Sequence, residues 1–211
     1  MFTMEKMTNR QKAAQETRKK LLAAAKRIIS ERGLAGTSVD EITEACGVAK
    51  GTFYTYFKRK EDVVYALCNE MFAEILDDAM SRKGTFMERL AFYMMGFASY
   101  IEESSLKLCQ EWIRNTVEPD VSGNRDGMNK LEFDLKSLKS LFEDGISRGE
   151  IKRNAPVEQL AQTLTEVLYG AMLCWATSNG KYDFKEQTRT FCDHSLVLML
   201  APALANTKSE K

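Results

Sequence analysis

Apolar side chains recur three and four residues apart along most of this chain, the spacing of helices that bury one face. From Gln11 to Arg32, Leu21, Leu22, Ala25, Ile28 and Ile29 share one side of a predicted helix, while Arg18, Lys19, Lys20, Lys26 and Arg27 take the other. Gly33 stands where a left-handed cap would end it. In Ser38-Val39-Asp40-Glu41 the serine hydroxyl can cap the Glu41 amide while the Glu41 carboxylate reaches back, which predicts a short helix from about Val39. That helix ends near Cys46-Gly47, because Gly47 can take the positive φ of a tight turn, and a second short helix runs from about Ala49 to Tyr56. Val39, Ile42, Cys46, Val48, Phe53 and Phe57 have the spacing that packs these two crossed helices on the first, so they are assigned to the core.

A longer helix follows Lys60, with Val63, Val64, Leu67, Met71, Phe72, Ile75 and Leu76 facing inward, and ends before Gly84. Helical periodicity continues over 85–103, 106–115, 124–148, 157–178 and 183–200, with breaks at Ser104-Ser105, at Pro119 to Gly123, at Gly149 to Pro156 and at Asn179-Gly180. Nine helices result and no strand is predicted, so the fold class is all-α. A three-helix helix-turn-helix domain over 11–60 precedes a helical domain over 61–204.

Charge sharpens this division. Residues 1–60 hold 13 Lys and Arg against 6 Asp and Glu; the whole chain has 30 of each, so the remainder holds 17 against 24. A basic first quarter beside an acidic remainder is the distribution expected when one part meets phosphates and the rest does not. The five cysteines, Cys46, Cys68, Cys109, Cys174 and Cys192, are scattered and odd in number, which points to reduced thiols rather than a disulfide frame or a zinc site. No apolar run approaches the roughly 18 residues of a membrane span, and the opening MFTMEKMTNRQ has no apolar export signal. A soluble, cytoplasmic protein is expected.

The stretch TSVDEITEACGVAKGTFYTYFKRKEDVVYAL, Thr37 to Leu67, carries the capping box, the Gly-Val turn, K-G-T-F-Y and Y-F-x-x-K-E in order. It resembles the DNA-binding domain of the TetR family of bacterial regulators, closely across about 50 residues and loosely thereafter. Two positions depart from the family pattern: Thr43 where a small alanine is common, and Ala49 where serine often caps the recognition helix. On this reading the second short helix enters the major groove of double-stranded DNA. Lys50 and Thr52 sit at its base-reading end, Gly51 permits close approach, and Tyr54 and Tyr56 donate to phosphates. Thr37 and Ser38 precede a helix whose free amides suit a phosphate, and Lys60 can neutralise another.

The later helices say less. Met94, Phe97, Tyr100, Trp112 and Phe133 belong to stripes that also read as core, and they are the candidates for contact with a small, lipophilic effector. The helix 160–175 is apolar nearly all round, and Leu164, Leu168 and Trp175 from it, with Phe191 and Leu198 from the last helix, are candidates for a homodimer interface. The resemblance implies a four-helix dimer bundle and a ligand-released repressor on a palindromic operator.

Two other readings compete. A sensor half that binds a protein, or a cysteine switch at Cys109 or Cys174, would change the signal but not the DNA-binding end. A helical enzyme finds no support in a G-x-S-x-G, phosphate-loop or H-E-x-x-H motif, and the single histidine, His194, has no partner at metal spacing. No catalytic residue, cofactor or metal is assigned.

Overall fold

The protein was analysed as a computed structural model that describes residues 8–117 and 130–205. It is all-α: no strand forms among the described residues, and a single isolated bridge pairs Ile151 with Leu204. The chain divides into two compact units between Leu67 and Cys68.

In the first unit α1 spans Asn9–Arg32, starting earlier than its apolar stripe suggests because Thr8 and Gln11 form a capping box. Leu21, Leu22, Ala25, Ile28 and Ile29 are its buried face, as the periodicity requires. Gly33 closes the helix with φ 78° and ψ 167°, a positive φ outside the left-handed helical region, and its N–H still reaches the Ile29 carbonyl. Helix α2 spans Val39–Cys46 and α3 spans Lys50–Tyr56. Between them Gly47 holds φ 66° and ψ 33°, left-handed values that any β-carbon would strain.

In the second unit α4 (Asp62–Ser81, begun in the first) leads to α5 (Phe86–Glu103), α6 (Leu106–Val117), α7 (Lys130–Ser147) and α8 (Val157–Thr177). The expected start of α7 at 124, and the break from Pro119 to Gly123, lie outside the described residues. The last predicted helix is three pieces in line: α9 (Phe184–Thr190), a π-helical turn (Phe191–Leu196) and α10 (Val197–Leu200). Apolar spacing alone does not mark such a widened turn.

Aromatic stacking fills the core of this unit. Phe97 stacks on Phe72 with centroids 5.0 Å apart, and Tyr100 meets the same ring edge-on at 5.3 Å. Phe86 and Phe142 join α5 to α7 at 5.0 Å, and a β-carbon on Gly145 would come within 2.7 Å of Phe86, so glycine there permits the close packing. Arg89, fully buried, donates to the Gly84 carbonyl, to Asp144 and to Glu150, whose other oxygen accepts the Phe86 N–H.

Candidate functional site

The helix-turn-helix is held from both ends. Ser38 Oγ accepts the Glu41 N–H at 3.1 Å, and the Glu41 carboxylate accepts the Ser38 N–H at 2.9 Å. These bonds, followed by the Arg32 guanidinium, hold the Glu41 carboxyl below its ordinary range. Thr43 is buried with its hydroxyl returned to the Val39 and Asp40 carbonyls, so the larger residue at the helix crossing is accommodated without an orphaned polar group. Ala49 precedes α3 in an extended conformation and supplies no side-chain cap.

Behind α3, Phe53 and Phe57 are buried with ring centroids 5.3 Å apart, and Ile42 of α2 is fully buried. Val39, Cys46 and Val48, also assigned to that core, are only half-buried. The opposite side of α3 leaves Lys50, Gly51, Tyr54 and Thr55 exposed, with Thr52 and Tyr56 half-buried. Lys50 ends in an ion pair, its Nζ 2.9 Å from Asp40 Oδ2; that bond raises the lysine's pKa. Sequence reasoning overlooked Asp40 because its position looked like an ordinary helix N-terminal acid.

Two phosphate candidates are otherwise engaged. Thr37 is buried and donates its hydroxyl to the Gly33 carbonyl at 2.8 Å. The Lys60 ammonium donates to the Leu34 carbonyl at 2.8 Å and to the Thr37 carbonyl at 3.0 Å, so it braces the loop before α2. Ser38 remains exposed.

In the second unit Met94, Phe97, Tyr100 and Trp112 are buried and Phe133 half-buried. They do not meet at one point. Met94 borders a cavity of about 160 Å³ with Val167, Leu168, Ala171, Thr188 and Phe191, whereas Phe97 and Tyr100 pack on Phe72 and Trp112 meets Tyr169 edge-on at 5.4 Å. Lys130, which no local sequence signal marks, organises the polar part of this interior. It is 1% exposed, its ammonium paired with Asp134 and lying 4.1 Å from the Phe72 ring centroid.

The expected interface residues divide sharply. Leu164, Leu168 and Trp175 are buried within their own unit, Trp175 stacking on Phe184 and donating its indole N–H to the Tyr182 carbonyl, so these three are core rather than surface. Phe191 is half-buried, and Leu198 is 77% exposed. The apolar outer face of α8 is Leu173 with Cys174, one residue out of phase with the side that periodicity favoured. Burial pushes the Cys109 thiol up to about 12, which leaves little thiolate for a redox role there, while Cys174 lies exposed. No helix among the described residues is long and apolar enough to cross a membrane.

Residues 21–67 match the family described as bacterial regulatory proteins, tetR family. The chain is 28% identical over 168 residues to the fatty acid metabolism regulator protein of Bacillus subtilis (strain 168), covering 77% of this chain and 85% of that one. It is 27% identical over 175 residues to the HTH-type transcriptional regulator UidR of Escherichia coli (strain K12), covering 79% and 85%. Among solved structures, the transcriptional regulator FadR of Bacillus subtilis in complex with stearoyl-CoA superposes with a TM-score of 0.64 at 24% identity, over 83% of this chain and 95% of that one. A SmeT–triclosan complex superposes with a TM-score of 0.58 at 18% identity, over 92% and 94%. At these identities the two structures show the shared fold.

Proposed function

We propose that this chain, whose residues 21–67 match the tetR family of bacterial regulatory proteins, is a dimeric repressor whose grip on an operator is loosened by a small lipophilic effector. The observation that carries the DNA-binding end is α3 itself. It is a short helix fixed from behind by buried Phe53 and Phe57, with Lys50, Gly51, Tyr54 and Thr55 on its open side. A helix so held has the width of a major groove, and its position is set before DNA arrives.

Lys50 and Thr52 read base edges; Ser38, Tyr54 and Tyr56 position the reader on phosphates. Thr37 and Lys60 act behind them, by fixing the loop that carries Ser38. In a two-fold dimer two such helices meet half-sites about one helical turn, roughly 34 Å, apart, so the operator is a palindrome. The subunits meet on the outer side of α8 and α10, where Leu173, Val197 and Leu198 are exposed.

The effector binds in the interior of the second unit, among the aromatic side chains to which Phe97, Tyr100, Trp112 and Phe133 belong, while Met94 borders the cavity beside Phe191. One neighbour of the same fold carries stearoyl-CoA, whose acyl chain is apolar, and another the chlorinated aromatic triclosan, and the aromatic interior here suits a ligand with such an apolar part. A ligand that binds one of two states more tightly shifts the population toward it, and release follows when that state spaces the reading heads wrongly.

The test is selection from a randomised duplex pool, followed by binding at two salt concentrations with Lys50→Ala and Tyr54→Phe. An enriched palindrome, steep salt dependence and weakening by both substitutions are expected. No enrichment, with variants equal to the parent, would sink the reading.

A further inference from the structure

Five helices of the second unit bring polar groups and aromatic rings to one buried place. Lys130, the first described residue of α7, pairs its ammonium with Asp134 one turn later; the two are 1% and 3% exposed. The Lys130 Nζ lies over the ring of Phe72, on α4, and 5.3 Å from that of Phe133. Asp134 Oδ2 accepts the hydroxyl of Tyr169, on α8, at 2.7 Å. The Tyr169 ring in turn meets Trp112, on α6. Tyr93, on α5 and 1% exposed, is hydrogen-bonded with Ser137 one turn along α7.

Stability does not account for this arrangement. Removing two charges from water costs several kcal/mol for each ion, and replacing a buried pair by apolar residues of similar size is commonly neutral or stabilising. Convergent polar groups within aromatic walls are what a ligand site requires.

We propose that Lys130, Asp134 and Tyr169 form the polar end of the effector site, and that its ligand is an amphiphile with a carboxylate head. This rests on the effector-binding reading given above. The Asp134 carboxylate holds the Lys130 ammonium and the Tyr169 phenol in place, the two donors that the ligand's carboxylate takes over. The incoming carboxylate accepts from Lys130 and Tyr169, its apolar body lies against Phe72 and Trp112, and Asp134 takes one proton from water. The net charge of the site is then unchanged. Burial already pushes the Asp134 carboxyl up and the Lys130 ammonium down, with Tyr93, Tyr169 and the Cys68 thiol as the other titratable groups around the pair.

A cationic ligand fits this place less well. It would have to expel Lys130 from its carboxylate into apolar surroundings, whereas an anion requires only that Asp134 be neutralised.

The test titrates the full-length protein with octanoate, decanoate and palmitate, with octanol, decanol and hexadecanol, and with decyltrimethylammonium. Tryptophan fluorescence reports binding, and release of the selected operator is followed in parallel. The parent is expected to bind a carboxylate about tenfold or more tightly than the alcohol of equal length, a difference of about 1.4 kcal/mol. The double variant Lys130→Met with Asp134→Leu keeps operator binding but holds acid and alcohol alike. Tyr169→Phe weakens the acid severalfold and leaves the alcohol unchanged, and it decides the matter if the double variant does not fold.

Absence of carboxylate binding by the parent, preference for the ammonium probe, or a preference that survives in both variants would overturn the proposal. Carboxylate binding that depends on Lys130 but never releases operator keeps this site and refutes its role as effector site. Operator release by the alcohols alone refutes this site and keeps the effector reading.

Discussion

The Lys60 ammonium donates to the main-chain carbonyl of Thr37 at 3.0 Å, across 23 residues of sequence, and so ties the start of α4 to the loop that caps α2. Replacing Lys60 by Met removes this bond and its companion to Leu34, and about 1–2 kcal/mol of stability should go with them. Operator affinity should fall as the loop loosens. Because the ammonium faces carbonyls, the slope of log affinity against log salt should stay that of the parent. A slope shallower by about 0.9 would instead make Lys60 a phosphate contact.

Capping supports two substitutions of opposite sign. Ser38→Ala should cost about 1 kcal/mol in denaturant unfolding, and Ala49→Ser, at an extended position with no present cap, should return about 0.5–1 kcal/mol. The Glu41 carboxyl is held below its ordinary range, so its contribution is present above the unfolded pKa and is lost as pH falls through the lower folded value. Glu41→Gln should therefore flatten the acid limb of the stability profile, measured by thermal unfolding across pH 2 to 6 (roughly the carboxylate range).

Leu164 and Leu198 should behave as opposites. Leu164→Ala opens a cavity in a fully buried site and should cost about 2–5 kcal/mol. Leu198→Glu alters a side chain already 77% exposed, so stability of the isolated subunit should hardly change while the dimer dissociates. Sedimentation at several concentrations separates these outcomes, and an unchanged dimer would remove α10 from the interface.

Arg89→Met leaves Asp144 and Glu150 without their buried guanidinium and the Gly84 carbonyl without its donor. A loss of about 3–5 kcal/mol is expected, chiefly through Glu150, since an ion left without its cation is dearer than the pair is valuable, whereas Asp144 keeps its pair with Arg148 at 2.8 Å. Chemical denaturation of the variant checks this, and a loss under about 1 kcal/mol would show that water replaces the arginine without penalty.

Local chemistry made the first unit legible in sequence. The Ser38–Glu41 box, the Gly47 turn and the buried Ile42, Phe53 and Phe57 each follow from residues within one or two helical turns of one another, so α2 and α3 are written in about 20 consecutive positions. The basic and acidic halves of the chain are likewise a property of composition.

What the fold alone decided lies across longer separations. Periodicity marks a helix as apolar without saying which neighbour covers each side, which is why Leu164, Leu168 and Trp175 looked like surface while Leu173 and Leu198 hold the outer face. Lys60 reads as a phosphate contact, and Lys130 carries no signal of its own, until the packed chain places carbonyls beside the first, and Asp134 with Phe72 beside the second. The reason is the range of the forces involved. Caps and turns are settled between adjacent residues, but burial of a charge is decided by everything that packs around it.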